Sequence, residues 1–406
     1  MFFQRQVLDP VRETVFIDPG PLLAINACNA AIQNGLPCTA PNAASEPESN
    51  HLRFAQTANT YAGFMQMNWR FLDRWALLYG MRLNNESKNV LYDNRIEPDT
   101  AVVIPSQIEE FTDEVSVDEL HFAPKVGVKF DWTDDADFYL TWARSFRGGG
   151  FDTINPQSER ESRQFEPETV RSWELGSKAR LLGGAATASL ALYWMNISNL
   201  QVATFNPSSV VQSPQVVNAA EARARGLESD LTWLPASWLT LRGALGFNDT
   251  EYLDFKIGTC ELDRQDTDGD GDPRCDLTGR PLERAPHWDA ALTASVDLPL
   301  TVVPALKAIA LLNGIDLAGS VTTEYQDTQL LRFTLDPRTR QDSFFRVGGN
   351  LGLADGDAGW SVLFVVENLT DVATASYVRD IFQVSDGFAQ SLEPPRLMYA
   401  KFRWSF

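Results

Sequence analysis

Strict alternation of apolar and polar side chains is the feature that most constrains how this chain can fold. From residue 120 to residue 132 one parity is almost wholly apolar, and the other is polar or small. A period of two residues indicates a β-strand with one apolar and one polar face. The alternation recurs in 75–84, 239–248 and 288–298. We count about 13 such segments, with centres near residues 64, 81, 126, 142, 176, 193, 227, 244, 292, 317, 349, 365 and 400.

These predicted strands are longer than those of most soluble proteins. Globular strands average about five or six residues, whereas a strand that crosses a membrane needs about nine to eleven. Aromatic girdles mark the two interfaces of membrane barrels, and tryptophans lie near the predicted strand ends: Trp75, Trp132, Trp233 and Trp288. The charged residues Lys125, Lys129 and Arg242 fall on the polar parity. This placement suits a water-filled interior, because such charges are costly on a lipid-facing surface.

The connections between the predicted strands alternate between short and long. Short turns fall near residues 72–74, 133–136, 182–184, 234–237 and 355–359, and long polar segments span 89–117, 147–168, 203–217, 254–285 and 371–393. Short periplasmic turns and long extracellular loops are typical of outer-membrane barrels. The predicted fold class is therefore all-β, an antiparallel transmembrane β-barrel. We interpret residues 1–50 as an extracellular loop region and residues 51–406 as the barrel.

Composition and motif content argue against several classes of protein. With 34 Lys and Arg against 54 Asp and Glu, the formal charge is −20, which disfavours a nucleic-acid partner because phosphate binding needs clustered basic residues. The longest apolar stretch, residues 301–315, is interrupted by Pro304 and Lys307 and is shorter than the roughly 20 residues of a membrane-spanning helix. The three histidines are scattered, and H-E-x-x-H and G-x-S-x-G motifs are absent. We therefore expect that the protein is not an enzyme.

The four cysteines form two local pairs in polar, turn-rich sequence, Cys28 with Cys38 and Cys260 with Cys275. Local pairs in exposed loops are typical of disulfides formed in an oxidising compartment. Neither spacing matches a tetrahedral zinc site, and four free thiols are the alternative because spacing alone does not prove a pairing.

An Asp-rich segment lies between the cysteines of the second pair. Asp266, Asp268, Asp270 and Asp272 alternate with Thr and Gly, as in the first half of a calcium-binding EF-hand loop. The pattern is incomplete, because Leu277 stands where that loop carries a bidentate glutamate. The loop of residues 260–276 is a candidate Ca²⁺ site, and a solvated acidic loop without a fixed ion is the alternative. No other cofactor is expected.

A bend and an aromatic terminus complete the pattern. Three consecutive glycines begin at residue 148 and predict a bend at the rim of the barrel. Their neighbours Arg144, Arg147 and Phe151 are candidates for facing an anionic ligand, and arginines at an ordinary rim surface are the alternative. The final strand places three aromatic residues on one parity, which we interpret as a C-terminal barrel signal: Phe402, Trp404 and Phe406.

At these and other positions the chain resembles the barrel of TonB-dependent outer-membrane receptors. The similar segments follow the family's usual order, at residues 60–66, 79–83, 138–151, 167–176, 222–228, 282–288 and 366–371. The most specific of them is Pro167-Glu168-Thr169-Val170 with Trp173-Glu174-Leu175-Gly176. Each segment alone is weak evidence for the family, but together the segments cover most of the chain from about residue 58 onward.

The resemblance implies a monomeric barrel of about 22 strands, closed by an N-terminal plug. It also implies uptake of a scarce ligand, driven by the TonB complex. Because we recognise neither a plug nor a TonB-contacting segment, we expect the chain to be the C-terminal part of a longer receptor in the bacterial outer membrane. The expected partners are outer-membrane lipid, the TonB complex through the missing N-terminal region, and an iron chelate such as a ferric siderophore. Haem, cobalamin and glycans stay open as ligands.

Two other functions are kept as alternatives. A secreted or surface adhesin, or a lectin-like protein, would bind partners through the long loops. It would need polar residues on both strand faces or a second sheet to cover the apolar face. A passive porin would have shorter loops and its own complete set of strands.

Overall fold

The computed structural model describes residues 2–8, 48–98, 110–152, 163–205, 214–259, 274–305, 309, 314–332, 334–380 and 388–405. Within them the chain forms one antiparallel sheet of 14 strands, in which each strand pairs with its neighbours in sheet order. No α-helix occurs in these ranges. Consequently none of the described residues belongs to a helix long and apolar enough to cross a membrane.

The sheet runs in sequence order from its first strand to its last. Its strands are β1 (Phe2–Leu8), β2 (Glu48–Leu72), β3 (Trp75–Pro98), β4 (Phe111–Thr133), β5 (Ala136–Arg147), β6 (Glu168–Leu181), β7 (Ala186–Phe205), β8 (Pro214–Ala236), β9 (Leu239–Asp254), β10 (Trp288–Pro299), β11 (Ile315–Gln326), β12 (Phe344–Asp355), β13 (Trp360–Glu367) and β14 (Leu397–Trp404). Consecutive strands in space are consecutive in sequence, as short hairpin connections favour.

Smaller elements lie in the connections. Four short hairpins pair Gly150–Phe151 with Gln164–Phe165, Gly258–Thr259 with Arg274–Cys275, Gln329–Leu330 with Arg340–Gln341, and Ala375–Asp380 with Phe388–Leu392. Single 3₁₀ turns span Leu182–Gly184, Leu300–Val302 and Pro337–Thr339. All four hairpins lie at the end of the sheet that carries the long connections, which we call the loop end.

Strand register divides the sheet into two faces of opposite character. β3 and β4 pair Leu83 with Phe122 and Asn84 with His121, so the alternation of each strand continues across its neighbour. One face, which we call the apolar face, carries exposed large side chains: Leu83, Phe122, Trp173, Leu292, Leu351 and Phe402. The other we call the polar face. An exposed apolar surface of this extent is not stable in water and needs apolar surroundings.

The predicted strands are confirmed, since each of β2 to β14 contains one of the predicted centres. The interpretation of residues 1–50 as a loop does not hold for Phe2–Leu8, which pairs with Gln56–Ala62 of β2. Seven residues are too few to show a clear period of two, and the pairing satisfies backbone groups that β2 would otherwise expose at an edge. The predicted loop 89–117 is also shorter, because β3 continues to Pro98 and β4 begins at Phe111.

Buried side chains gather at the loop end and not between two layers. Seven of them form a loop cluster from β7, β8, β9 and the segments that follow: Val202, Ala220, Ala222, Tyr252, Phe255, Leu277 and Leu335. Four others form an aromatic cluster: Phe54, Val90, Tyr92 and Phe151. Burial of one large apolar side chain stabilises a fold by about 1.5–3 kcal/mol. The two clusters therefore hold the long connections against the sheet.

Candidate ligand-binding surface on the polar face

Two carboxylates and an imidazole meet on the polar face of β3 and β4. Register places Glu86 directly opposite Glu119, and His121 lies two residues further along β4. Nε2 of His121 is 2.9 Å from Oε2 of Glu119. The ring of Phe146 stacks on His121 with centroids 4.0 Å apart, which fixes the orientation of the imidazole. We call Glu86, Glu119 and His121 the carboxylate–imidazole cluster, and all three side chains are half-buried.

Lys88 and the segment after β5 hold the cluster in place. The ammonium of Lys88 lies 3.3 Å from Oε2 of Glu86 and donates a hydrogen bond to the carbonyl oxygen of Gly149. In return, the backbone N–H of Gly149 donates to Oε2 of Glu119 at 3.1 Å. Charge-assisted hydrogen bonds of this kind are stronger than neutral ones. The loop that follows β5 is therefore tied to the cluster from both sides.

The close approach of this loop requires glycine at residue 149, where a Cβ atom would also lie 2.6 Å from the backbone carbonyl oxygen of Phe165. A Cβ atom at Gly148 would lie 2.4 Å from Oε2 of Glu86, and one at Gly149 would lie 2.5 Å from Oε1 of Glu119. Gly149 and Gly150 are both buried. The predicted bend is thus also the point where the chain backbone packs against charged side chains of the polar face.

The cluster can act as a set of hydrogen-bond acceptors or as metal ligands. One ligand atom from each of its three side chains lies within 4.8 Å of the other two, and imidazole with carboxylate suits Zn²⁺ and other first-row transition metals. Lys88 disfavours the binding of a metal cation here, because its ammonium already neutralises Oε2 of Glu86. Oε1 of Glu86 accepts a hydrogen bond of 3.5 Å from the hydroxyl of Thr60.

Of the three residues predicted to face a ligand, Arg147 alone is exposed on the polar face. β5 and β6 pair Arg147 with Glu168 and Arg144 with Arg171, so alternation places Arg144 on the apolar face. Both Arg144 and Arg147 are exposed. Phe151 is 6% exposed, because its short hairpin turns it into the aromatic cluster. Arg147 has no ion pair or hydrogen bond within the described part of the chain.

A second concave region lies on the polar face at the loop end of β10, β11 and β12. Its volume is about 470 Å³, and its lining includes charged and amide side chains: Arg284, Asp289, Glu324, Gln329, Gln341 and Arg346. Arg346 lies 2.8 Å from Oε2 of Glu393 and donates to the hydroxyl of Thr374 at 2.5 Å. The Nε–H of Arg346 is buried without a partner. This wall offers both donors and acceptors to a polar small molecule.

A larger cavity of about 810 Å³ lies at the opposite end of the sheet, beside the short turns. Its charges neutralise one another, since Asp131 lies 2.7 Å from Arg70 and 2.9 Å from Lys129. Lys129 also lies 3.3 Å from Asp137. This cavity is remote from the carboxylate–imidazole cluster and from the long loops, so we do not include it in the candidate ligand-binding surface.

The predicted calcium and disulfide sites fall largely outside the described residues. Those outside are Asp266, Asp268, Asp270, Asp272, Cys28, Cys38 and Cys260, together with Phe406. Cys275 is disulfide-bonded, and its short hairpin partner is Gly258. The two ends of the Asp-rich segment therefore lie side by side, while the pairing of Cys275 with Cys260 and the Ca²⁺ site stay predictions.

The C-terminal aromatic row is described for Phe402 and Trp404, and its role as a barrel signal stays a prediction. Phe402 and Trp404 are on the apolar face of β14, with exposures of 65% and 64%. They pair with Val362 and Trp360 of β13. The final strand thus continues the apolar face up to the end of the sheet.

Comparison with known proteins agrees with this architecture. The family described as TonB dependent receptor-like, beta-barrel matches residues 31–369. Two solved structures share the fold: the ferric yersiniabactin uptake receptor FyuA from Yersinia pestis, with a TM-score of 0.67 and 15% identity, and the siderophore receptor PiuA from Acinetobacter baumannii, with 0.62 and 14%. They cover 89% and 86% of this chain, which in turn covers 47% and 44% of theirs.

A curated relative is similar over a shorter region. The metal-pseudopaline receptor CntO from Pseudomonas aeruginosa is 27% identical over 128 residues, which is 32% of this chain and 16% of the relative. The chain therefore spans less than half the length of these two solved structures, and 16% of CntO is matched. The family match covers most of the sequence. The chain belongs to the TonB-dependent receptor family, and its sheet forms a large part of that family's β-barrel.

Proposed function

We propose that this chain forms the ligand-binding wall of a receptor that takes up an iron chelate or a similar metal complex through the bacterial outer membrane. In this assignment the apolar face meets lipid and the polar face lines the interior. The observation that carries the proposal is Arg147, an exposed guanidinium on the polar face that forms no ion pair with any described residue, although Glu168 lies opposite it on β6. Arginine binds carboxylates and related anions through paired hydrogen bonds, so the guanidinium of Arg147 is available to an anionic chelate.

The surroundings of Arg147 favour a ligand with mixed chemistry. Arg147 directly precedes Gly148, whose backbone abuts the carboxylate of Glu86. The carboxylates of the cluster can accept hydrogen bonds from hydroxyl or amine groups of a chelator, while Arg147 meets its anionic groups. A ligand that carries both kinds of group would therefore be held better than a simple anion or a bare cation.

The similar proteins support a metal complex as the class of ligand. Their names refer to metal-pseudopaline, to ferric yersiniabactin and to a siderophore. Identities of 27% and below are too low to assign the particular chelator of any of these proteins to this chain. We further propose that the receptor works as a monomer, and that the TonB complex drives uptake through a plug domain of the same receptor.

Uptake by intact cells tests this function. Cells that lack the full-length gene are complemented with the wild-type gene, and uptake of ⁵⁵Fe-labelled siderophores is compared with uptake of labelled zinc and copper complexes. We expect complementation to restore uptake of at least one metal complex. Restored uptake of a sugar, with no effect on any metal complex, would contradict the proposal.

Two matched arginine variants then test the polar face. Arg147→Ala removes the exposed guanidinium and is expected to weaken uptake at low ligand concentration about tenfold, because one charge-assisted contact contributes about 1.5 kcal/mol or more. Arg53→Ala removes an exposed arginine of β2 on the apolar-face parity and is expected to behave as the wild type. Equal uptake by both variants would remove Arg147 from the binding surface.

A further inference from the structure

Two arginines face each other on the apolar face without an acidic partner. Arg144 of β5 is directly opposite Arg171 of β6, and both side chains are exposed. Like charges directly opposite one another on neighbouring strands destabilise a sheet. Neither arginine has an ion pair or a hydrogen bond within the described residues. The next residue in the same row is Asn196 of β7, which carries no charge.

Other arginines in this part of the apolar face are neutralised inside the sheet. Arg225 of β8 lies 2.6 Å from Asp249 of β9, and Arg223 forms an ion pair with Glu251. Each of these pairs is directly opposite across the two strands. Arg144 and Arg171 differ from Arg223 and Arg225, because no acidic side chain of the described sheet neutralises their charges.

A row of tryptophans fixes the depth of the two arginines. Trp142, Trp173 and Trp194 lie side by side on β5, β6 and β7, one step of the alternation nearer the short turns. Below them the row continues with Leu140, Leu175 and Leu192. Tryptophans of a barrel lie at the interface between the hydrocarbon and the headgroups. Arg144 and Arg171 are two residues further toward the loop end, which is the level of the headgroups of the outer leaflet.

We propose that Arg144 and Arg171 bind the phosphate groups of a phosphorylated glycolipid headgroup in the outer leaflet, of the lipopolysaccharide type. A phosphate between the two guanidinium groups would accept paired hydrogen bonds from each. It would also neutralise the repulsion that the sheet itself leaves unrelieved. This assignment rests on the outer-membrane location in the proposed function, and it is independent of the ligand that the polar face binds.

Lipid titration of the purified full-length receptor tests the proposal. The receptor in detergent micelles is titrated with bisphosphorylated lipid A, with dephosphorylated lipid A and with inorganic phosphate. We expect bisphosphorylated lipid A to bind at least about tenfold more tightly than the dephosphorylated lipid, since two charged contacts are lost. Inorganic phosphate lacks the acyl chains that the apolar face would hold, so it should bind more weakly still.

Variants separate this site from general attraction of anions. Arg144→Ala/Arg171→Ala is expected to lose the preference for the phosphorylated lipid, whereas Arg144→Lys/Arg171→Lys should keep part of it. The control Arg74→Ala/Lys256→Ala removes two charges from a short turn and from the loop end and should bind as the wild type does. Heat-modified migration on a gel verifies that each variant is folded.

Three results would overturn the assignment. These are equal lipid affinity in the wild type and the double alanine variant, no preference for phosphorylated lipid, or inorganic phosphate that binds as tightly as lipid A. Uptake of the metal complex distinguishes a failure of this lipid site from a failure of the receptor function. At equal amounts in the membrane, the double alanine variant is expected to take up the metal complex as well as the wild type does.

Discussion

Oε2 of Glu119 accepts a hydrogen bond of 3.1 Å from the backbone N–H of Gly149, which joins β4 to the loop beyond β5. A side chain at Gly149 would meet Oε1 of Glu119 at 2.5 Å and the carbonyl oxygen of Phe165 at 2.6 Å. The carbonyl belongs to the backbone and cannot move aside without shifting the chain. The contact between the carboxylate–imidazole cluster and this loop therefore depends on the absence of a Cβ atom.

Gly149→Ala is expected to destabilise the loop after β5 by about 1–3 kcal/mol, as overpacking of a tight site does. Denaturant unfolding in detergent, together with hydrogen–deuterium exchange of the loop, measures the effect. The matched control is Gly63→Ala in β2, where a Cβ atom would meet nothing within 4 Å. Equal stability and equal exchange in the two variants would show that Gly149 does not carry this contact.

Because the hydroxyl of Tyr92 is buried, we expect the folded protein to lose stability at alkaline pH. Its hydroxyl donates to the carbonyl oxygen of Asp152 at 2.7 Å, and burial raises its pKa well above the ordinary value near 10, against the opposing effect of Arg163. As the pH rises past about 10, the unfolded chain loses the phenolic proton while the folded chain retains it. The folded state then binds more protons, so its stability falls as the pH rises.

The comparison of wild type with Tyr92→Phe isolates this effect. Phe has no proton to lose, so the variant should lose less stability between pH 9 and about 11.5, although it is less stable at neutral pH because the carbonyl of Asp152 loses its donor. Denaturant unfolding over this pH range measures both effects. Parallel pH profiles for the two proteins would contradict the buried, protonated Tyr92.

Adjacent residues of β10 test the assignment of the two faces. Leu292 is 54% exposed on the apolar face, whereas Ala291 lines the cavity on the polar face. In the receptor reconstituted in lipid, a fluorophore on Leu292→Cys should be quenched by nitroxide lipids. A fluorophore on Ala291→Cys should instead be quenched by aqueous iodide. The same quencher preference at both positions would mean that β10 does not separate lipid from water.

Calcium binding by the Asp-rich segment is expected to be weak. An exposed extracellular site of this type binds Ca²⁺ with a Kd of about 10⁻⁴–10⁻³ M, and calorimetry of the full-length receptor after chelator treatment can measure it. Asp268→Asn/Asp270→Asn should abolish the heat of binding. Asp342→Asn, an exposed change in another loop, should leave it unaltered. Identical titrations of wild type and double variant would place any bound calcium elsewhere.

Much of the sheet was predictable because strand alternation has a period that a sequence shows directly. The row Phe138, Leu140, Trp142 and Arg144 shares one parity, and this parity already places Arg144 beside the tryptophan on the apolar face. Closeness to the glycine bend in sequence favours a ligand-facing Arg144, whereas the strand register places it on the apolar face. Parity is a stronger guide here, since side chains on neighbouring positions of a strand point to opposite faces.

The carboxylate–imidazole cluster was only partly predictable. His121 falls on the polar parity of the alternating segment 120–132, but that pattern does not group Glu86 and Glu119 with it. The tight turn at residues 73–74 joins β2 to β3 and places Glu86 opposite Thr60. β3 and β4 are joined instead by the long connection between Pro98 and Phe111, so the sequence does not fix the register that brings Glu86 opposite Glu119. The contacts of Phe151 and Gly149 depend on how a loop folds back onto the sheet, which no periodic pattern specifies.

The contact of the apolar face with lipid is the point on which the receptor function and the lipid site both depend. Outer membranes are isolated from cells that express the full-length gene, and boiled and unboiled samples are compared on a denaturing gel. We predict that the protein is in the outer-membrane fraction and that the unboiled band migrates faster, because the closed barrel resists detergent until it is heated. A soluble protein whose migration does not change on boiling would contradict this, and would mean that protein, not lipid, covers the apolar face.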